Sequence, residues 1–288
     1  MKFEPITASE IVHSRKINPD AKEGILRELD YINRFATKSS NLWTVESAKI
    51  QKTDGFYKNV VLFLSPANEV LADEFTNCPW EGDNDCLPTC INKQGRNGMP
   101  VQQRAQRCRT VLLGVRWEYF KWKLIKELRL LAEQYDNMLL VRPDGTSDRD
   151  WRWLAALFPQ LAFYGYSKGI SKVRKHWMPN LRLVFSGSNK NEVVYKRTVE
   201  AVATGLSCAI ALNTAGCKGE WELPDVEGLV DFDANDDRFN ECVGTFGFLK
   251  RKGSTKEVRI SEEVLTDSFF FNKDSFNNLI EDIDHAIR

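Results

Sequence analysis

Seven short apolar runs, set apart by polar turns, constrain the architecture of this chain more than any other feature. They are Val60-Val61-Leu62-Phe63-Leu64, Met138-Leu139-Leu140-Val141, Leu161-Ala162-Phe163-Tyr164, Leu181-Arg182-Leu183-Val184-Phe185, Cys208-Ala209-Ile210-Ala211-Leu212, Leu229-Val230-Asp231-Phe232 and Thr245-Phe246-Gly247-Phe248-Leu249. Several are apolar almost throughout, as strands of a parallel sheet covered on both faces are. After the second run the spacing is roughly 20–25 residues, the length of a small strand–helix unit.

Helical periodicity fills the intervals. In Val111 to Tyr135, Leu112, Val115, Tyr119, Trp122, Ile125, Leu128, Leu131, Ala132 and Tyr135 share one stripe. Further helices are expected at Asp148 to Phe158, with Asp148 as the cap, at Asn191 to Thr204, and at about Lys273 to Ile287. Near the N-terminus, Asp20 is a candidate N-cap for a helix carrying Ile25, Leu26, Leu29, Ile32 and Phe35, and Leu42 to Ile50 reads as a short strand. Alternating elements predict an α/β fold with a parallel sheet, an incomplete or distorted (β/α) barrel with N-terminal helical decoration. Residues 1–57 form the expected accessory region, and 58–288 the partial barrel, which ends in a C-terminal helix.

The 288 residues carry 40 basic and 40 acidic side chains, a balance that argues against a dedicated nucleic-acid binder. Met1 to Pro5 shows no apolar export signal, and the longest apolar stretch, near Val199 to Leu212, is too short to span a bilayer. A soluble cytoplasmic protein without membrane contact is expected. The seven cysteines are odd in number, so metal binding or plain burial is expected rather than a disulfide framework.

Three of those cysteines, Cys78, Cys86 and Cys90, fall within thirteen residues in a loop broken by Pro79, Gly82 and Pro88. Such a loop can bring three thiolates to one centre, and these soft ligands suit an iron–sulfur cluster or zinc. Burial without metal is the plain alternative, but buried cysteines favour apolar elements and this loop is polar. With no C-x-x-C pair, iron–sulfur, foremost a [4Fe–4S] cluster, is preferred to zinc. Cys108 is the nearest candidate fourth ligand in sequence, and Cys217 a second.

The loop follows a strand, and ligands of α/β folds gather at the C-terminal ends of strands. The other strand ends carry Arg142, Asp144 and Asp148, then Lys168, then Ser186 and Ser188, then Asn213. A capped turn explains each set alone; their convergence on one rim is what points to a site. Arg142 and Lys168 suit an anionic substrate or cofactor carboxylate, while Asp144, Asp148 and Lys168 are candidates for orienting it or moving a proton. Ser186, Ser188 and Asn213 are candidate hydrogen-bond donors to a bound cofactor. His13, His176 and His285 are scattered, no phosphate-binding glycine loop is present, and the acidic run Asp231 to Asp237 lacks calcium-loop spacing.

Taken together, Cys78-Pro79 with Cys86 and Cys90, Arg107-x-Arg109-Thr110, Arg142-x-x-Gly145-Thr146-Ser147-Asp148, Phe163-Tyr164-x-Tyr166-Ser167-Lys168 and Ser186-x-Ser188 resemble a family of uncharacterised bacteriophage proteins. That resemblance implies the cytoplasm of an infected host. The cysteine loop is more distantly similar to that of radical S-adenosylmethionine enzymes, whose pattern is C-x3-C-x2-C. Cys86-x3-Cys90 matches the first interval, Lys93 stands at the third position, and Cys78 lies upstream. This likeness implies a cluster and S-adenosylmethionine as cofactors. Two readings follow: an iron–sulfur protein acting on a small anionic molecule through radical or redox chemistry, or a non-enzymatic phage protein with a structural metal that binds a host protein.

Overall fold

All seven apolar runs form strands. The computed structural model describes residues 1–39, 41–45, 57–84, 86–93, 95–175, 178–212, 226, 228–235, 237–250 and 270–288. In chain order the strands are β1 (Trp43–Val45), β2 (Lys58–Leu62), β3 (Leu139–Arg142), β4 (Ala162–Ser167), β5 (Leu181–Ser186), β6 (Cys208–Leu212), β7 (Leu229–Asp231) and β8 (Phe246–Lys250). They make one sheet in the order β1-β2-β3-β4-β5-β6-β8-β7. Trp43 opposite Leu62 makes the β1–β2 pair antiparallel; every other pair is parallel. Among the described residues nothing joins the edge strands β1 and β7, so the sheet is open. The expected strand at 42–50 survives as β1, and its remainder lies outside the described residues.

The helices are α1 (Ala8–His13), α2 (Pro19–Arg27), α3 (Leu29–Thr37), α4 (Glu81–Asn84), α5 (Pro100–Val115), α6 (Trp117–Gln134), α7 (Arg152–Leu157), α8 (Ile170–Lys175), α9 (Glu192–Ala203) and α10 (Lys273–Ile287). Side chains alternate faces along a strand, and that alternation assigns each face of the sheet a different role. Val60, Leu62, Leu139, Val141 and Phe163 pack with Leu112, Phe120, Leu128 and Leu154 from the helices. Phe185, Cys208, Ile210, Leu212, Phe246 and Phe248 continue that layer against Ala201, Phe276, Leu279 and Ile283. The opposite face carries smaller clusters, Leu140 with Ala162 and Tyr164, and Val184 with Ala209 and Phe232. Ile6, Ile11, Ile17, Ile25 and Ile32 of the N-terminal region belong to the same core as β2 and β3.

Local details depart from the sequence reading in three places. The helical stretch expected from Val111 to Tyr135 is two helices, broken at Arg116, whose φ of -127° and ψ of 50° leave the helical region. Arg116 is held there by carbonyls of Glu4 and Pro5 and by the Glu10 carboxylate. Asn18, not Asp20, caps α2: its side chain accepts the Asp20 N–H at 3.0 Å, and Pro19 occupies the first helical position. Asp148 does not cap α7, which begins at Arg152; its carboxylate is engaged by β4 and α8. Among the described residues no helix is long and apolar enough to cross a membrane.

Candidate metal centre

The cysteine loop hangs from Asn77, a fully buried residue that ties three segments together. Its side-chain N–H donates to the Ser65 carbonyl at 2.7 Å, and its Oδ1 accepts from Arg149 at 3.0 Å. Its carbonyl accepts the Asp148 N–H at 2.8 Å, and its own N–H reaches the Ala67 carbonyl at 3.1 Å. Two further bonds fasten the loop after β3 to the end of β2: the Gly145 N–H donates to the Leu62 carbonyl at 2.9 Å, and the Thr146 hydroxyl to Leu64 at 2.5 Å. A Cβ at residue 145 would stand 2.7 Å from that Leu62 oxygen and 2.6 Å from the Phe63 ring, so glycine is the residue this approach admits. The polar stretches after β2 and β3 thus form one rim.

Each loop thiol is partly buried, and Cys78 and Cys90 receive a main-chain N–H. Ala67 N–H donates to Cys78 Sγ at 3.2 Å, from a backbone held at φ 43°, a region costly for a residue with a Cβ. Asn92 N–H points to Cys90 Sγ at 3.5 Å. These bonds favour thiolates, but burial dominates: it raises all three pKa values, that of Cys90 to about 12. Negative charge on Cys86 or Cys90 raises Cys78 further, and Cys86 does the same to Cys90. Among the described residues no three His, Cys, Asp or Glu side chains converge on a point suited to a single metal ion.

Lys168 faces the thiols from the end of β4. Burial lowers its pKa to about 8, against the opposing pull of Cys86, Cys208, Asp148 and Cys90. Its ammonium is 3.5 Å from the Gly187 carbonyl. Its position is set by Asp148, whose Oδ2 accepts the Lys168 N–H at 2.9 Å and the Ser167 hydroxyl at 3.0 Å. The other Asp148 oxygen pairs with Lys172 at 2.6 Å. Burial disfavours the Lys172 ammonium, but Asp144 and Asp148 outweigh it and raise its pKa. Asp144 also accepts from Ser147 at 2.7 Å, from the Arg149 N–H at 3.1 Å and from Trp151 Nε1 at 2.7 Å. Both carboxylates are thus engaged in bracing the rim.

The remaining candidates divide. Cys108 lies on α5, buried in the helical core, with Glu28, Arg104, Arg109 and Arg107 as charged neighbours. Ser188 is fully buried, with its hydroxyl oxygen unpartnered among the described residues, while its N–H meets Thr198 at 3.2 Å. Ser186 ends β5, and Arg142 ends β3 over the rings of Tyr164 and Tyr166. Asn213 and Cys217 lie outside the described residues.

Four residues of the site escape a reading by local motif. Lys172 looks like an exposed cation of a basic stretch, and Asn77 like a plain neighbour of Cys78. Cys208, a strand residue, faces Lys168. Trp80 packs on Gly169, fastening the cysteine loop to the turn after β4; a large aromatic in a polar loop and a glycine in a turn were the available signals.

The loop supplies three thiols, the donor type of a thiolate-bound metal group. Sulfurs served by amides, yet kept neutral by burial, ionise when a cation is supplied. A family model described as gene product 88 matches residues 35–262, a span that includes the cysteine loop and the rim. No curated protein and no solved structure matches the chain.

Proposed function

The chain belongs to the gene product 88 family, a bacteriophage protein family, and from that premise we propose that it is an iron–sulfur protein acting on a small anionic molecule at the mouth of a partial (β/α) barrel. One observation carries the metal reading: three partly buried thiols sit in one turn-rich loop, and Cys78 and Cys90 each receive a main-chain N–H. A cluster binds its cysteines at different irons, so its ligands share a wall rather than a single focus. Parallel strands added in chain order from β2 to β6, with helices on one face, support the partial-barrel reading.

An iron–sulfur cluster supplies one-electron chemistry where it is bound. The protein's own groups do the rest. Cys78, Cys86 and Cys90 are the ligands. Lys168 sets a positive charge beside the thiolates, and Asp148 holds Lys168 in place from its backbone. Asp144 and Lys172 brace Asp148. Ser188 and Ser186 offer hydroxyls on the same rim, and Arg142 offers a charge for an anion.

Electron paramagnetic resonance of the reduced protein, with and without S-adenosylmethionine, tests the reaction class. A cluster signal altered by S-adenosylmethionine supports radical chemistry. A cluster signal indifferent to it leaves a redox role. A colourless, zinc-loaded protein contradicts the iron–sulfur reading.

A further inference from the structure

Beside the cysteine loop, one buried side chain carries an oxygen that no hydrogen bond reaches. Asn92 follows Cys90 by two residues, in the single helical turn Ile91–Lys93. It is 2% exposed, and its Oδ1 has no hydrogen-bond partner among the described residues. Buried polar atoms are nearly always satisfied, and an exception calls for a reason. Asn77, at the start of the same loop, shows the usual case. Its Oδ1 accepts from Arg149, and its amide donates to the Ser65 carbonyl.

Main-chain bonds hold Asn92 against the loop. Its N–H points to Cys90 Sγ at 3.5 Å, and the Lys93 N–H donates to the Cys90 carbonyl at 2.9 Å. Lys93 ties the turn to Glu69, 3.7 Å away. Oδ1 is four covalent bonds from the Asn92 nitrogen, so standard bond lengths keep the two within about 5 Å. A metal group held by Cys90 is within the reach of this side chain. Three cysteines leave one iron of a four-iron cluster without a protein thiolate. A side-chain carbonyl oxygen is a neutral donor with two lone pairs, harder than sulfur and suited to such a position.

We infer that Asn92 Oδ1 is the fourth protein ligand of the metal group, on the iron that Cys78, Cys86 and Cys90 leave open. The inference rests on the iron–sulfur reading above and adds a residue to it. A neutral oxygen holds iron less firmly than a thiolate does, so this iron is the exchangeable one.

The full-length protein is prepared without oxygen from cells fed asparagine labelled with a magnetic carbon isotope at its side-chain carbonyl. Electron–nuclear double resonance of the reduced cluster is expected to show a carbon coupling, and Asn92→Ala is expected to abolish it. On exposure to ferricyanide, Asn92→Ala is expected to give the three-iron signal at least tenfold faster than the wild type. Asn278→Ala, which removes an exposed asparagine from α10, is expected to change neither result. If Asn92→Ala does not fold, the near-isosteric Asn92→Asp serves: it keeps an oxygen donor, adds negative charge, and is expected to lower the midpoint potential of the cluster. A cluster without a carbon coupling, a coupling kept in Asn92→Ala, equal oxidation rates, or an unchanged potential in Asn92→Asp would each overturn the inference and leave the iron–sulfur reading standing. A wild-type protein without iron and sulfide would overturn both.

Discussion

Trp80 packs directly on Gly169: a Cβ added to Gly169 would stand 2.3 Å from Cε2 and 2.5 Å from Nε1 of the indole. Through this contact the cysteine loop is seated on the turn that carries Lys168. Gly169→Ala must displace a ring rather than the tip of a flexible chain. The expected cost is about 1–3 kcal/mol, measured by denaturant unfolding, with a red-shifted tryptophan emission as Trp80 is driven toward solvent. An unchanged midpoint and spectrum would show that the loop is not seated there.

Lys172 neutralises a buried pair of carboxylates. Its ammonium lies 2.6 Å from Asp148 and 3.7 Å from Asp144, with all three side chains nearly closed to solvent. Lys172→Met leaves those charges enclosed and unpaired, and the expected loss is about 3–5 kcal/mol. Lys196→Met removes an exposed ion pair with Glu192, and urea unfolding is expected to show a change below about 1 kcal/mol. Similar losses for the two variants would mean that the rim network does not brace the fold.

The Glu10–Arg116 pair gives the acid limb of stability a definite sign. The Arg116 guanidinium, 2.6 Å away, and the Thr7 N–H hold the Glu10 pKa at about 2, below its ordinary 4.5. A depressed carboxyl contributes stability that is complete above the unfolded value and lost as pH falls through the folded one. The contribution is therefore expected to disappear between about 4.5 and about 2. Carboxyl NMR titration checks the value directly, and Arg116→Gln is expected to return Glu10 toward 4.5.

Cys108 separates ligation from packing. It is buried in the helical core, with Glu28 and Arg104 as charged neighbours. Cys108→Ala is expected to cost roughly 0.5–3 kcal/mol of stability while leaving metal content unchanged. Cys78→Ser, Cys86→Ser and Cys90→Ser are each expected to lower metal content. Metal lost from Cys108→Ala at full stability would make Cys108 a ligand.

The strands were legible because near-continuous apolar runs admit few other structures, and each lies within three residues of its expected position. The tertiary causes were hidden. Arg116 breaks a helix whose apolar stripe continues past it, and its partner Glu10 lies 106 residues away. Asp148 satisfies the local rule for a helix cap, yet its partners Ser167, Lys168 and Lys172 lie 19 to 24 residues further on. Cys108 is close to the cysteine loop in sequence, but helix α5 turns it into the core. The turns that carry the three loop cysteines were legible because proline and glycine punctuate the chain there. Their setting against Lys168 was not, because it depends on the pairing of β4 with its neighbours.

The central claim is tested most directly by iron and acid-labile sulfide analysis, with a visible absorption spectrum, of the protein purified without oxygen. The account predicts a brown protein with iron and sulfide in near-equal amounts, both lost in the variant with Cys78, Cys86 and Cys90 all changed to serine. A colourless protein without iron, or iron retained in that triple variant, would contradict it.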